Sequence, residues 1–368
     1  MLKALASIPA DHPALWGRME VRPARPLILL DDAVVLPPQR LGGVTEWWRR
    51  RSFGVFDRHG DHVVDLSDLR GERRICHPLP RLEACAAQER PVLELPVMLY
   101  GGTLYNHYGH LLVETGRAYQ LLREFRSSDL PIWFHDINPR RRSVTGLAFV
   151  QHWLRCVGIR RRVKLIRQPI QARQLISACS LYNDRAFVDE DLRPACLAGL
   201  RPRLLERLAQ RRGAGRGVAY LSRHKLQGGS TKFAQEPALV ARLAELKHVD
   251  VICPEELTNP QKLQLYRDYA VVAGFPQSSM HLKLFAPGDQ LARQVLFVAG
   301  PQSLSSSWVN LERATGFGDA YVDCGTPESF AARDPSHSGS AAREPGFQRC
   351  NSFDADGVFE ALRQLAAA

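Results

Sequence analysis

The sequence predicts an α/β chain of two lobes, on three observations. Apolar strand-like runs alternate with helical stretches from residue 101 onward, a spacing that implies parallel sheets with right-handed crossovers. A glycine-rich joint, Gly213 to Gly217, follows a long charged stretch and marks a boundary. The 368 residues exceed one ordinary core and suit two domains. The expected division is a first lobe over 1–188 with a β-rich beginning, a connecting helix and joint over 189–217, a second lobe over 218–335, and a loop and terminal helix over 336–368.

In the first lobe, Leu27–Leu30 and Ala33–Leu36 are short apolar runs that stop at Pro37-Pro38. Gly54–Asp57 and His62–Asp65 read as a hairpin with Gly60 in its turn. Trp47-Trp48 beside three arginines reads either as half-buried packing or as a binding platform. After the Gly101-Gly102 turn, a helix is expected over 108–125, burying Leu111, Thr115, Ala118, Leu122 and Phe125. A strand over 130–134, a helix over 144–157 stopped at Gly158, and strands over 163–166 and 174–177 follow. Asp189 to Arg212 reads as one long helix.

The second lobe carries the clearest alternation. Strands are expected over 218–222, 249–253, 270–273 and 294–298, and helices over 236–247, 260–269 and 279–285. Residues 330–352, rich in Ser, Gly, Arg and Pro, read as a surface loop, and 354–368 as a terminal helix.

Composition narrows the function classes. Apolar residues make up 45% and charged residues 24%, which supports a packed core and excludes wholesale disorder. The net charge is +11, concentrated in runs such as Arg49-Arg50-Arg51, Arg140-Arg141-Arg142, Arg160-Arg161-Arg162 and Arg211-Arg212. Such a surface favours anionic partners, and it also reads as an ordinary solvated face. The eight cysteines form no Cys-x-x-Cys pair, which argues against a zinc ribbon. Met1–Pro9 is too short an apolar run for a secretory signal, and no stretch approaches a membrane span. A reduced, cytoplasmic protein is expected, with peripheral contact at the inner face of an anionic membrane open through the arginines.

Ligands of parallel sheets sit at the carboxyl ends of the strands. In the second lobe those ends deliver Ser222-Arg223-His224-Lys225, Pro254-Glu255-Glu256, and Gly274-Phe275-Pro276-Gln277-Ser278-Ser279. The first supplies cations. The third is a turn into a helix start, where backbone N–H groups and the serine hydroxyls suit a phosphate. The same serines also read as ordinary caps. Neither a P-loop nor Gly-x-Gly-x-x-Gly is present.

In the first lobe, Asn106, His110 and Glu114 are spaced by four and would share a helix face. An imidazole oriented by a carboxylate is what a general base near neutral pH requires. A helix cap at Asn106 and a buried, satisfied His110–Glu114 pair is the alternative. Asp189-Glu190-Asp191 resembles the Asp-x-Asp of metal-dependent sugar transferases, but acidic residues suit a helix start anyway. His-Glu-x-x-His and Gly-x-Ser-x-Gly are absent.

Together these segments resemble glycosyltransferase family 61. The first-lobe likeness lies in Asn106 through Glu114. The second-lobe likeness lies in Ala219 through Arg223, Gln235-Glu236, Pro254 through Leu257, Val271 through Gly274 and Leu284 through Pro287. The ordered set spans roughly residues 27–365. The chain departs from the family's Gly-Pro-His-Gly-Ala/Ser-Gly stretch, where it has Gly274-Phe275-Pro276-Gln277-Ser278-Ser279. His281, a little further on, is the replacement candidate, for phosphate or for packing.

The resemblance implies a GT-B-like fold, two Rossmann-like lobes with parallel sheets facing a cleft and the last helix packing across the lobes. It implies an inverting, metal-independent transfer from a nucleotide-activated sugar, UDP-linked by expectation and with no other cofactor. The acceptor would be a glycan or lipid-linked glycan of capsular or cell-envelope polysaccharide synthesis. Catalytic roles fall to His110, Glu114 and Asn106. Donor binding falls to Ser222, Arg223, Lys225, Glu256, Gly274, Gln277, Ser278, Ser279 and His281, and no residue is assigned to a metal. The competing reading is a non-catalytic sugar- or nucleic-acid-binding protein using its basic surface. It lacks a helix-turn-helix, RRM or zinc-finger signature, so no nucleic-acid partner is expected.

Overall fold

A computed structural model of the chain describes residues 4–5, 8–40, 51–71, 73–74, 92–136, 143–210, 215–326 and 347–367. The fold is mixed α/β and divides into two compact units, Glu20–Pro202 and Met1–Met19 with Arg203–Ala368. The expected features at Trp47-Trp48, at Arg140–Arg142, at Arg211-Arg212 and over 327–346 lie outside the described residues.

In the first unit, six strands form one sheet. They are β1 (Ile28–Arg40), β2 (Arg51–Phe56), β3 (Leu93–Leu104), β4 (Ile132–Asp136), β5 (Val163–Leu165) and β6 (Ile170–Ser177), in the order β5-β4-β3-β6-β1-β2. β3 to β6 run parallel, whereas β1 and β2 are antiparallel, so the sheet is mixed rather than the all-parallel one expected. The two apolar runs before residue 37 are one strand. Its register shifts between Leu36 and Gln39, where two prolines lack the N–H a ladder needs. The Gly60 turn forms, but its return arm is a single bridge, Phe56 to His62.

The sheet curls, so that His135 on β4 meets β1. The His135 Nε2–H donates to the Leu36 carbonyl at 2.8 Å, and Nδ1 accepts from the Tyr100 hydroxyl at 2.9 Å. The neutral ring, with its proton on Nε2, satisfies both nitrogens. Burial accordingly pushes the His135 pKa down to about 3, against the pull of the Leu36 carbonyl. A depressed histidine contributes stability that is present above its unfolded pKa and lost as pH falls. The expected loss runs between about pH 6.5 and about pH 3, at about 1.4 kcal/mol per pH unit. Urea denaturation across that range checks it, because His135→Gln should remove that part of the slope.

Helices α1 (Tyr108–Val113), α2 (Gly116–Glu124), α3 (Ala148–Cys156) and α4 (Leu192–Gly199) complete this unit. The single helix expected over 108–125 breaks at Glu114–Thr115. There the Thr115 hydroxyl donates to the Leu111 carbonyl at 2.6 Å, competing with the helical ladder. Four of the five expected stripe residues are buried, and Phe125 is half-buried. The long helix expected over 189–212 is likewise three pieces: a strand at Phe187–Asp189, α4, and α5 (Pro202–Gln210). Leu200 and Arg201 interrupt it ahead of Pro202, as expected of residues preceding a proline.

The second unit has β7 (Arg216–Leu221), β8 (Val249–Ile252), β9 (Tyr269–Gly274), β10 (Arg293–Val298) and β11 (Ala320–Asp323), all parallel, in the order β8-β7-β9-β10-β11. α6 (Glu236–Leu243), α7 (Asn259–Asp268), α8 (Ser306–Thr315) and α9 (Ala355–Ala367) accompany them. Residues 1–19 belong here rather than with the first lobe. Ala4-Leu5 pairs antiparallel with Tyr321-Val322, and Leu15-Trp16 pairs parallel with Leu304-Ser305. Part of the expected 330–352 loop is a strand, Phe347–Asn351, parallel to Gly229–Phe233. α9, expected across both lobes, buries Val358 and Leu362 in the core of the second unit, beside Leu239 and Leu243 of α6. Among the described residues, no helix is long and apolar enough to cross a membrane.

Candidate functional site

The strand order of the second unit fixes where a ligand crevice can open. From β7 the chain goes to β8 on one side, then returns to β9 on the other. The connections leaving β7 and β9 therefore diverge, and the gap at their carboxyl ends is the topological switch point at which open α/β sheets bind ligands. Those two ends are Ser222-Arg223-His224 and Gly274–Ser279, segments the sequence singled out separately. Gln277 joins them, its Nε2 donating to the Leu221 carbonyl at 2.8 Å. Gly274 is required by the approach: a Cβ there would sit 2.9 Å from the same carbonyl oxygen.

Ser222 is fully buried, and its role is internal. Its hydroxyl meets His224 Nδ1 at 2.7 Å and Glu236 Oε1 at 3.2 Å. The same Glu236 oxygen accepts from the Tyr220 hydroxyl and the Arg223 backbone N–H, both at 3.0 Å. Burial raises the Glu236 pKa, and these donors oppose it. Glu236, which entered the sequence analysis only through the family likeness, thus ties the first turn of α6 to the end of β7.

The Arg223 side chain makes no ion pair or hydrogen bond among the described residues, and its Nε is buried without a partner. Burial lowers its pKa, while the fields of Glu236 and Glu255 raise it. A half-buried guanidinium whose Nε donor is buried and unused is unfavourable unless an acceptor meets it. Ser278 and Ser279 stand half-buried at the start of the 3-10 segment Ser278–Phe285, and their hydroxyls make no hydrogen bond among the described residues.

Three expected donor ligands are placed elsewhere. Lys225 and Glu256 are exposed and pair with each other at 2.8 Å, a solvated pair of little energetic weight. His281 lies buried with its ring stacked on Trp308, centroids 4.1 Å apart and planes 3° apart. Its ring thus makes a packing contact with α8.

In the first unit, His110 Nδ1 meets Glu114 Oε1 at 2.5 Å, with 20% of the His110 side chain and 6% of the Glu114 side chain exposed. The carboxylate lies against Nδ1 and orients the ring. Asn106 does not share their helix face. The N-cap of α1 is His107, and Asn106 lies before it, exposed, in the corner that follows β3. The spacing of four was counted across a strand-to-helix corner. The corner brings aromatics instead: His107 and Tyr105 lie 4.6 and 5.8 Å from the His110 ring by centroid. His107 was legible only as an adjacent histidine.

Behind this dyad, Arg117 is 1% exposed and donates to the carbonyls of Asp65, Leu66 and Ser67 at 2.9–3.1 Å. It also reaches the Asp68 carboxylate at 3.3 Å, which accepts from the Thr103 hydroxyl as well. Burial raises the Asp68 pKa against the pull of Arg117, and Glu114 adds to the rise. The Asp189–Asp191 pair is divided between two arginines. Arg25 lies 3.6 Å from Asp189, and Arg123 lies 2.6 Å from Asp191. Among the described residues no group of three or more His, Cys, Asp or Glu is arranged to hold a metal ion. Comparison with protein-family models and with curated proteins finds no match.

Proposed function

We propose that the chain is a glycosyltransferase that moves a sugar from a nucleotide-activated donor to a glycan or lipid-linked glycan, with inversion. The observation that carries this reading is the switch point of the second unit. There a half-buried arginine, its Nε buried and without a partner among the described residues, and a serine-bearing turn stand at the ends of adjacent parallel strands. Such a place suits the diphosphate of a nucleotide sugar, whose developing charge must be met by fixed donors. The likeness to glycosyltransferase family 61 supports the same reading.

In this scheme Arg223 and the N–H groups of the Gly274–Ser279 turn neutralise the leaving nucleoside diphosphate. His110, with Glu114 against its Nδ1, takes the proton of the acceptor hydroxyl on Nε2. The acceptor oxygen bonds to the anomeric carbon as the carbon–phosphate oxygen bond breaks, and the diphosphate departs with the electron pair. The positive charge required is supplied by side chains, so no metal is assigned a step. Glu114 stabilises the imidazolium that forms.

Calorimetric titration with uridine diphosphate and the other nucleoside diphosphates tests the donor side. Arg223→Ala is expected to weaken the binding of the preferred diphosphate about 10- to 100-fold, the loss of one charge-assisted contact. Unchanged affinity in Arg223→Ala would remove Arg223 from the site.

A further inference from the structure

The first unit carries a second charged feature at the opposite end of its sheet from His110. β4 begins where the Ile132 N–H donates to the Arg162 carbonyl at 2.8 Å, so residues 160–162 lie at the amino ends of the parallel strands. Arg162 is a structural anchor there. Its Nε donates to the Leu130 carbonyl at 2.9 Å and its Nη1 to the Phe125 carbonyl at 3.2 Å. Around that anchor the chain crowds cations. Arg126 follows Phe125 and is close enough to lower the Arg162 pKa, after the effect of burial. Arg160 and Arg161 precede the anchor, and Arg155 ends α3. Arg201 packs against the Gly158 turn, where a Cβ would meet its Cγ at 2.7 Å.

All five of these arginines are exposed, and none of their side chains makes an ion pair or hydrogen bond among the described residues. The field of Asp129 acts on Arg162. Leu130 stands exposed at the edge of the patch, next to Asp129. Arginines with long apolar stems and no side-chain partner among the described residues, an exposed leucine, and no exposed aromatic among the described residues of the patch match a membrane surface better than a nucleic acid, whose readers add stacking residues.

We infer that Arg126, Arg155, Arg160, Arg161 and Arg201, with Leu130, form a docking surface for a membrane that carries anionic phospholipid headgroups. The attraction is worth about fivefold in partitioning per basic residue near the surface and is screened by salt. The inference is independent of the proposed transferase activity.

The test is co-sedimentation of the full chain with phosphatidylcholine vesicles, with and without phosphatidylglycerol. The wild type should bind only the anionic vesicles and release them at high salt. Arg160→Glu/Arg161→Glu is expected to lose at least about 25-fold in binding, two residues at fivefold each. The charge-matched Arg173→Glu/Lys247→Glu, exposed positions outside the patch, should bind as the wild type does. A thermal melt of each variant establishes that it is folded, and Arg160→Gln/Arg161→Gln replaces the glutamate pair if that one is not. Equal loss in both double variants, no preference for anionic vesicles, or tighter retention on duplex DNA than on vesicles would overturn the inference.

Discussion

Replacing His110 by alanine is expected to lower kcat about 10²- to 10⁴-fold while leaving nucleotide binding intact, because a positioned general base contributes that much and touches only the acceptor proton. The donor-side groups lie in the other unit, so affinity for a nucleoside diphosphate should not move. Glu114→Gln keeps the shape but removes the charge that stabilises the imidazolium, and its loss should be smaller. Single-turnover kinetics of both variants, with calorimetry of the diphosphate, check the pattern. Loss of donor affinity in His110→Ala would mean that the histidine serves binding or folding instead.

Arg117→Met should cost about 3–5 kcal/mol of stability, the usual result of removing one partner of a buried ion pair. Three carbonyls would lose their donor, and the Asp68 carboxylate would remain buried with the Thr103 hydroxyl as its remaining partner. Pairing the change with Asp68→Leu should recover part of the loss, since two buried charges then disappear together. Urea denaturation of Arg117→Met, Asp68→Leu and the double variant measures both effects. Additive losses would show that the pair is not coupled.

The elements read most accurately from the sequence are those in which local pattern and tertiary role agree. β7, β8, β9 and β10 are apolar runs between helices, and the structure places each within two residues of its expected range. The switch point was half legible. Both strand ends were identified by the carboxyl-end rule, but their adjacency comes from strand order, which no local pattern encodes. The pairing of Ala4-Leu5 with β11, and of Gly229–Phe233 with Phe347–Asn351, joins short segments far apart in sequence. No element was expected over α8. The structure makes the Ser305 hydroxyl an N-cap acceptor for the Ser307 N–H at 3.3 Å.

The candidate site shows the same division. His110 and Glu114 are neighbours because a helical turn brings residues four apart together, and the sequence contains that fact. Asn106 was assigned to the same face by extending the helical period into a corner that is not helical. Lys225 and Glu256 were read as separate ligands, whereas they consume each other's charge across two strand ends. Arg117 left no sequence signal, because a buried arginine and a solvated one look alike until its acceptors are seen.

The second unit is proposed to bind a nucleotide-activated sugar at the Arg223 end of β7. The most direct measurement is a thermal-shift series on the wild-type protein with a panel of nucleotide sugars, in chelator, beside the free nucleoside diphosphates. Ligands that bind the folded state raise its apparent stability by mass action. One class of nucleotide sugar, with its diphosphate, should raise the melting temperature in wild type and fail to do so in Arg223→Ala. No shift with any member of the panel, or equal shifts in wild type and Arg223→Ala, would contradict it.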